Sequence, residues 1–372
     1  MNKKIRVGVI GCGNCFSGLF QGIELYRTKL EGEKPVGIMH ETLGGYSIFD
    51  IDFVAIWDVG ENKIGKPLTE AIYEEPNMVE WVERGNRDKS NWWHFHRQVV
   101  VQEGPALDGI GIYVQNKIRP IVSGKSPSDL MNEIGKTIRE QRVDVLVNYL
   151  PVGSQKATEW WGNVALGWGC AFVNCMPVFI ASNEEWGKRF EGAKLPIIGD
   201  DVKGQVGATI VHRVLAKLVN DRGIKLENTY QLNVGGNTDF LNMKEQERLE
   251  SKRISKTDAV QSQLEKELNA DHIHIGPSDY LPQLGNTKVA YIRLEGKSFA
   301  GQAFSVETRL QVDDKSQSAG VVIDALRLAK IALDRKECGA IPQASAFLFK
   351  HPPIQYSDSD AKKLLEDYVK ND

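Results

Sequence analysis

Lys252 and Lys256 stand four residues apart in the segment Arg248-Leu249-Glu250-Ser251-Lys252-Arg253-Ile254-Ser255-Lys256-Thr257-Asp258. On a helix that spacing puts both ammonium groups on one face, where they repel unless an anion lies between them. A phosphate is the simplest such anion, and the hydroxyls of Ser251 and Ser255 suit it; a solvated basic face is the plainer alternative. Lys288 heads the apolar run Val289-Ala290-Tyr291-Ile292, and Lys350 follows Phe347-Leu348-Phe349. Desolvation lowers the pKa of an amine, which makes a lysine a proton carrier or an electrostatic catalyst near neutral pH. Each of these alone reads better as a surface lysine with its head in water. Asp200 and Asp201, in Ile197-Ile198-Gly199-Asp200-Asp201-Val202-Lys203-Gly204, add adjacent carboxylates that could position an amide, hold a cation, orient a lysine or cap a helix. The turn Gly235-Gly236-Asn237-Thr238-Asp239 presents further polar groups just upstream of the lysine pair.

A different chemistry is written at the start of the chain. The β-branched run Ile5-Arg6-Val7-Gly8-Val9-Ile10 breaks into Gly11-Cys12-Gly13-Asn14-Cys15-Phe16-Ser17-Gly18, and Leu19, Phe20, Ile23, Tyr26 and Leu30 then recur at helical spacing. Strand, glycine turn and helix in that order hold a dinucleotide diphosphate: Gly11 takes the tight turn, Gly13 lets the backbone approach the phosphates, and the helix offers unpaired N–H groups. Phe16 occupies the usual place of the third glycine, and Gly18 comes two residues later. A second strand, Phe53 to Trp57, ends in Asp58, a carboxylate suited to an adenosine ribose or to capping the strand end.

Other candidate centres are weaker. Cys12 and Cys15 have dithiol spacing but lie inside the glycine turn. The pairs His94/His96 and His272/His274 would face one way on a strand, yet no cysteine or carboxylate completes a zinc set. A net charge of −3 gives no footprint for nucleic acid or an anionic membrane. Five cysteines and no visible leader point to a reducing, cytoplasmic setting. The uncharged stretch from Trp160 to Asn183 is long enough for a bilayer, but its glycines, Asn174 and Pro177 make it a buried helix, a turn and a core strand.

The elements that must position these residues alternate. Residues 60–125 read as an irregular, Trp-rich excursion and lid, and Glu31 to Tyr46 as an inserted loop. Helices are expected at 129–142, after Pro151-Val152-Gly153-Ser154, at 184–190 and at 205–220, with strands at 143–150, 171–174 and 195–198. Such βα alternation builds a parallel sheet with its ligands beyond the carboxyl ends of the strands. Beyond Gly223 the texture turns to strands, with a charged helix at 244–253 and an apolar helix at 318–333. The expected class is α/β, a Rossmann-type doubly wound parallel sheet carrying an inserted α+β catalytic and oligomerisation domain. The dinucleotide domain is taken as 1–225 with 316–372, and the insertion as 226–315.

Taken together the motifs resemble the myo-inositol-1-phosphate synthase family, in its shorter prokaryotic branch. The resemblance runs through Gly-Cys-Gly-Asn-Cys at 11–15, Asn-Tyr-Leu-Pro-Val-Gly-Ser at 148–154, Asn-Cys-Met-Pro-Val-Phe-Ile-Ala-Ser at 174–182 and Gly-Asp-Asp-Val-Lys-Gly-Gln at 199–205. It continues in Asn-Val-Gly-Gly-Asn-Thr-Asp at 233–239, Ser-Lys-Arg-Ile-Ser-Lys at 251–256 and His-Ile-Gly-Pro-Ser-Asp at 274–279. It implies conversion of D-glucose 6-phosphate, a sugar-phosphate substrate, to 1D-myo-inositol 3-phosphate, with NAD unchanged at the end of the cycle. Oxidation at C5, enolisation at C6, aldol closure on C1 and re-reduction make up the implied route. Lys252 then serves proton transfer at C5, while Lys256, Lys288 and Lys350 hold phosphate and oxyanions. Asp200, Asp201, Asn237 and Asp239 bridge nicotinamide, substrate and lysines, and Asp314 orients Lys288 or Lys350. Gly11, Gly13, Asn14, Cys15, Asp58, Pro151, Asp200, Asp239 and Lys252 border the cofactor. A monovalent or divalent cation, a homotetramer and a place in phospholipid and inositol biosynthesis are further implications. Gly204 stands where many relatives carry serine. The rival expectation is a sugar- or polyol-phosphate dehydrogenase with net release of NADH.

Overall fold

A computed structural model describes residues 3–29, 35–82 and 91–370. Leu30 of the expected helix and parts of the expected inserted loop (31–34) and of the expected excursion (83–90) lie outside the described residues. In chain order the first part contains β1 (Ile5–Ile10), α1 (Asn14–Lys29), the short pair β2 (Thr42–Leu43) and β3 (Tyr46–Ser47), β4 (Ile51–Asp58), α2 (Leu68–Ala71), α3 (Asn91–Arg97) and β5 (Val101–Glu103). It continues with α4 (Pro127–Glu140), β6 (Val145–Asn148), α5 (Gln155–Trp168), β7 (Ala171–Asn174), α6 (Glu184–Gly192), β8 (Pro196–Ile198) and α7 (Ala208–Asp221). Then follow β9 (Lys225–Gly235), α8 (Thr238–Asn242), α9 (Glu250–Gln261), β10 (Ile273–Tyr280), β11 (Thr287–Lys297) and β12 (Ala303–Asp313). The chain closes with α10 (Asp314–Asp334), β13 (Gly339–Ala340), α11 (Pro342–Leu348) and α12 (Asp358–Lys370).

The first sheet is parallel throughout, in the order β13-β8-β7-β6-β1-β4-β5. Its strands are apolar on both faces because both are covered. Val7, Val9, Phe53, Val145 and Val147 face α1 and the long α10, while Val54, Trp57 and Leu146 face α4 and α5. The chain proceeds outward from β1 to β4 and β5, then returns to β6 on the other side of β1. That reversal leaves a crevice at the carboxyl ends of β1 and β6. The expected excursion is therefore partly built into the sheet, since β5 pairs with β4 as its edge.

Several expectations are corrected. His94 and His96 lie on a helix, α3, where Trp92 stacks on Phe20 at 4.6 Å and draws the segment into the core. His96 is buried there, with Nδ1 against the Trp92 carbonyl at 2.7 Å and Nε2 accepting from Phe53 N–H at 2.9 Å. Among the described residues no three His, Cys, Asp or Glu side chains group as metal ligands. The charged helix begins at Glu250 rather than Lys244, because Asn237 caps the short α8 first and its side chain accepts from Asp239 and Phe240 N–H. The uncharged stretch folds as the end of α5, a turn and β7; among the described residues no helix is long and apolar enough to cross a membrane.

The second sheet has the order β10-β9-β11-β12, with β10 parallel to β9 and the other pairs antiparallel. Its inner face, including Ala290, Ile292, Leu294 and Ile275, shares a core with Ala208, Ala216 and Val219 of α7 and Val260 of α9. The expected domain boundary after 225 thus falls behind a helix that packs on this sheet.

Candidate active site

The glycine turn opens one wall of a cleft between the two sheets. Gly11 has φ +96°, and a Cβ there would meet the Tyr149 carbonyl oxygen at 3.0 Å, so the turn requires glycine. A Cβ on Gly13 would have nothing within 4 Å, leaving open space over the start of α1. The first N–H groups of a helix have no partner within it. Asp58 shapes this turn: Oδ2 accepts from Cys12 N–H at 2.7 Å and Oδ1 from Val59 and Gly60 N–H at 2.8 Å. Asn14 borders the cleft, while its side chain binds Asn286 at 2.8 Å and accepts from Met78 N–H at 2.8 Å. Cys15, Asp58 and Pro151 border it too. Open backbone at a helix N-terminus, with the Asp58 carboxylate beside it, fits a dinucleotide.

The opposite wall carries the lysines. Asp201 follows β8 with φ 59° and is 1% exposed. Its Oδ1 meets Lys252 Nζ at 3.0 Å and Lys350 Nζ at 2.9 Å, and Oδ2 accepts from Ser255 Oγ at 2.7 Å. Lys350 also donates to the Val202 carbonyl at 2.7 Å. Burial pushes the Asp201 carboxyl up, but the ammonium groups of Lys252 and Lys350 hold it well below the usual range. Burial works to lower Lys252, yet Asp201 and Asp239 keep it above the ordinary lysine value. Lys350 is brought down to about 8, chiefly by burial.

A second carboxylate repeats the pattern. Asp314, the first residue of α10, meets Lys288 at 3.3 Å through Oδ1 and Lys315 at 3.4 Å through Oδ2. Despite burial, these two hold its carboxyl below the usual range. Lys350 is therefore paired by Asp201, and Asp314 serves Lys288 and Lys315. Lys256 is 4% exposed and has no hydrogen bond or ion pair among the described residues. Burial, then the charges of Lys288, Lys252 and Lys350, push it well below the ordinary value.

Asn237 and Asp239 line the cleft, but Asp200 does not. Asp200 is fully buried, and its carboxylate accepts from Asn174 Nδ2 (2.7 Å), the N–H groups of Ile180 (3.0 Å), Ala181 (3.1 Å) and Ser182 (3.0 Å), and Ser182 Oγ (2.8 Å). Burial raises it to about 6 against those bonds. It ties the 178–182 loop to β8 and so presents its neighbour Asp201. Sequence reasoning missed Lys315 and Arg248, both bordering the cleft, and placed Tyr149 there only as one of the residues at the carboxyl ends of the strands. Lys315 was marked only by its place after Asp314, Tyr149 by the turn that follows β6, and Arg248 by its nearness to the lysine pair. Tyr149 Oη, Arg248 Nε and Asn237 Nδ2 are buried without hydrogen-bond partners, so polar groups of this lining await a polar ligand.

Fold and cleft together define a Rossmann-type enzyme whose glycine turn faces a lysine- and aspartate-rich site. A family model described as myo-inositol-1-phosphate synthase matches residues 207–315. The chain is 47% identical to inositol-3-phosphate synthase of Mycobacterium tuberculosis, over 99% of this chain and 96% of that one. It is 48% identical to the enzyme of the same name from Mycolicibacterium smegmatis, over 98% of each. A crystal structure of a myo-inositol-1-phosphate synthase-related protein from Thermotoga maritima shares the fold, with a TM-score of 0.77 at 24% identity and 98% of each chain covered. The chain belongs to the myo-inositol-1-phosphate synthase family.

Proposed function

We propose that the chain converts D-glucose 6-phosphate to 1D-myo-inositol 3-phosphate with no net redox change. The observation that carries this reading is the meeting, in one cleft, of a dinucleotide turn with carboxylates that each serve two lysines. Gly11, Gly13, Asn14, Cys15, Asp58 and Pro151 would hold NAD, with Asp239 and Lys252 toward its reactive end. Bound there, NAD would supply oxidation of the open-chain sugar at C5 and the return of the hydride after ring closure. Lys252, oriented by Asp201, hydrogen-bonds the C5 oxygen; as the neutral amine it takes the C5 hydroxyl proton when the hydride leaves, and as the ammonium it returns that proton when the ketone is reduced. Lys256 and Lys288 hold the phosphate and the enolate; the C6 proton passes to the bound phosphate as the enolate forms and goes on to the C1 alkoxide after ring closure. Lys350 steadies the alkoxide at C1 as C6 closes on it. Developing negative charge inside a cleft poor in water is stabilised strongly by such fixed cations. The exposed outer face of the second sheet, with Tyr230 and Tyr291, supports self-association, and the family likeness suggests a homotetramer.

The test is incubation with glucose 6-phosphate and catalytic NAD, followed by phosphorus NMR. Inositol phosphate should form without lasting absorbance at 340 nm. Accumulating NADH without a cyclised product would replace this reading by a net sugar-phosphate dehydrogenase.

A further inference from the structure

Lys315 is 2% exposed and borders the cleft, yet it makes no contact shorter than 3.4 Å through its ammonium group: 3.4 Å to Asp314 and 3.5 Å to the Cys15 sulfur. The other buried lysines outside the reacting cluster are better satisfied. Lys63 donates to the Cys12 carbonyl at 2.8 Å, and Lys203 to the Ala346 carbonyl at 2.8 Å. A thiol is a poor acceptor for an ammonium group, and Asp314 is already shared with Lys288. Cys15 is the second residue of α1, so this charge sits at the positive end of the α1 dipole, where a cation is disfavoured unless an anion is also present.

The placement is built into the chain. A Cβ on Gly18 would meet Lys315 Cβ at 3.2 Å and the Trp81 ring at 3.2 Å. The displaced third glycine of the turn therefore makes room for α10 to bring Lys315 against α1. The place it vacates is filled by Phe16, fully buried with its ring 5.0 Å from that of Phe53. Asp313 caps α10 by accepting from Lys315 N–H at 3.1 Å and Ser316 N–H at 2.8 Å, which fixes the backbone from which the lysine projects.

We propose that Lys315 is a cofactor-binding residue whose ammonium group holds the diphosphate of the dinucleotide over the N-terminus of α1. The inference rests on the NAD reading above and sets a second positive charge beside the glycine turn, where the ammonium of Lys63 is already engaged by the Cys12 carbonyl. It divides the lysines of the cleft by task, with Lys315 serving the cofactor and Lys252, Lys256, Lys288 and Lys350 serving the sugar phosphate.

Binding without turnover tests it, by titration calorimetry with NAD, ADP-ribose and adenosine as probes on wild type, Lys315→Met and Lys315→Gln. Removing one phosphate contact should weaken NAD and ADP-ribose by about tenfold or more and flatten the salt dependence of their binding. Adenosine, which has no phosphate, should bind all three proteins alike. Circular dichroism identifies a variant that does not fold, and the gentler Lys315→Gln then carries the comparison. Unchanged ADP-ribose affinity in a folded variant overturns the assignment, as does equal loss of adenosine. Failure of the wild type to bind NAD at all would instead overturn the cofactor reading itself.

Discussion

At the scale of residues, the cleft balances its charge by sharing. Asp201 serves Lys252 and Lys350, Asp314 serves Lys288 and Lys315, and Lys256 has no carboxylate. Positive charge therefore exceeds what the aspartates neutralise, and burial together with the charges of Lys288, Lys252 and Lys350 pushes the Lys256 ammonium well below its ordinary value. A sugar phosphate arriving beside Lys256 favours the charged form, so binding should be accompanied by proton uptake across the pH range in which Lys256 titrates. Calorimetry in buffers of different ionisation enthalpy reads that uptake; Lys256→Met should abolish it, and uptake that persists in the variant would place the proton elsewhere. Lys350 gives a second, separate signature. Its ammonium is complete below about 8 and is lost as the pH rises through that value. Turnover at subsaturating substrate should accordingly decline above pH 8, and Lys350→Arg, whose guanidinium does not titrate there, should remove this limb even if it is slower.

At the scale of elements, Asp200 shows how a buried group governs one it never touches through its side chain. Its carboxylate gathers the backbone of 180–182 and Asn174 at the end of β7, and the next residue is Asp201. Asp200→Asn would turn an amide NH2 toward donors already in place and leave some unpaired. The expected cost is about 2–4 kcal/mol in denaturant unfolding, with lowered turnover because Asp201 loses its mounting. Stability close to wild type would refute this account. Strands β1, β4, β6, β7 and β8 and helices α1, α4, α5 and α10 were legible because apolar residues recur on the faces they bury, whereas the edge strands β5 and β13 are only three and two residues long and show no period; the glycine turn was legible from its order of strand, glycine and helix. The extent of α9 was not, since its buried residues include Ser255, Lys256 and Gln261, and a polar face turned toward a ligand leaves no apolar period to read. The same reasoning covers α3, where a histidine inside an aromatic cluster looked like half of an alternating pair. Lys315 escaped notice because its meaning depends on Gly18, almost three hundred residues earlier in the chain.

At the scale of the whole molecule, the glycine turn belongs to the first sheet and the lysines come from both parts, so the site exists only while the two parts hold their relative places. Arg213 on α7 is central to that hold. It is fully buried, donates to Asp358 of α12 at 3.0 Å, to the Tyr356 carbonyl at 2.6 Å, to Ser262 at 3.2 Å and to Gln355 at 3.2 Å, and also reaches the Ala259 carbonyl at the end of α9. Gln355 in turn donates to the Lys350 carbonyl at 2.7 Å. One guanidinium thus joins the helix that carries Lys252 and Lys256 to the segment that carries Lys350. Helix α7 shares the core of the second sheet through Ala208, Ala216 and Val219. Arg213→Met would strand Asp358 with Lys203 alone and leave the carbonyls unpaired, at a cost of about 3–5 kcal/mol. The loss should be uneven, since the glycine turn makes no contact with Arg213: NAD affinity should stay near wild type while kcat falls by at least about tenfold. Thermal unfolding, NAD titration and kcat on one preparation separate the possibilities. A variant that melts early yet keeps its kcat would make Arg213 a structural tie only, whereas lost kcat with retained NAD binding would show that it holds the lysines in register across the two sheets.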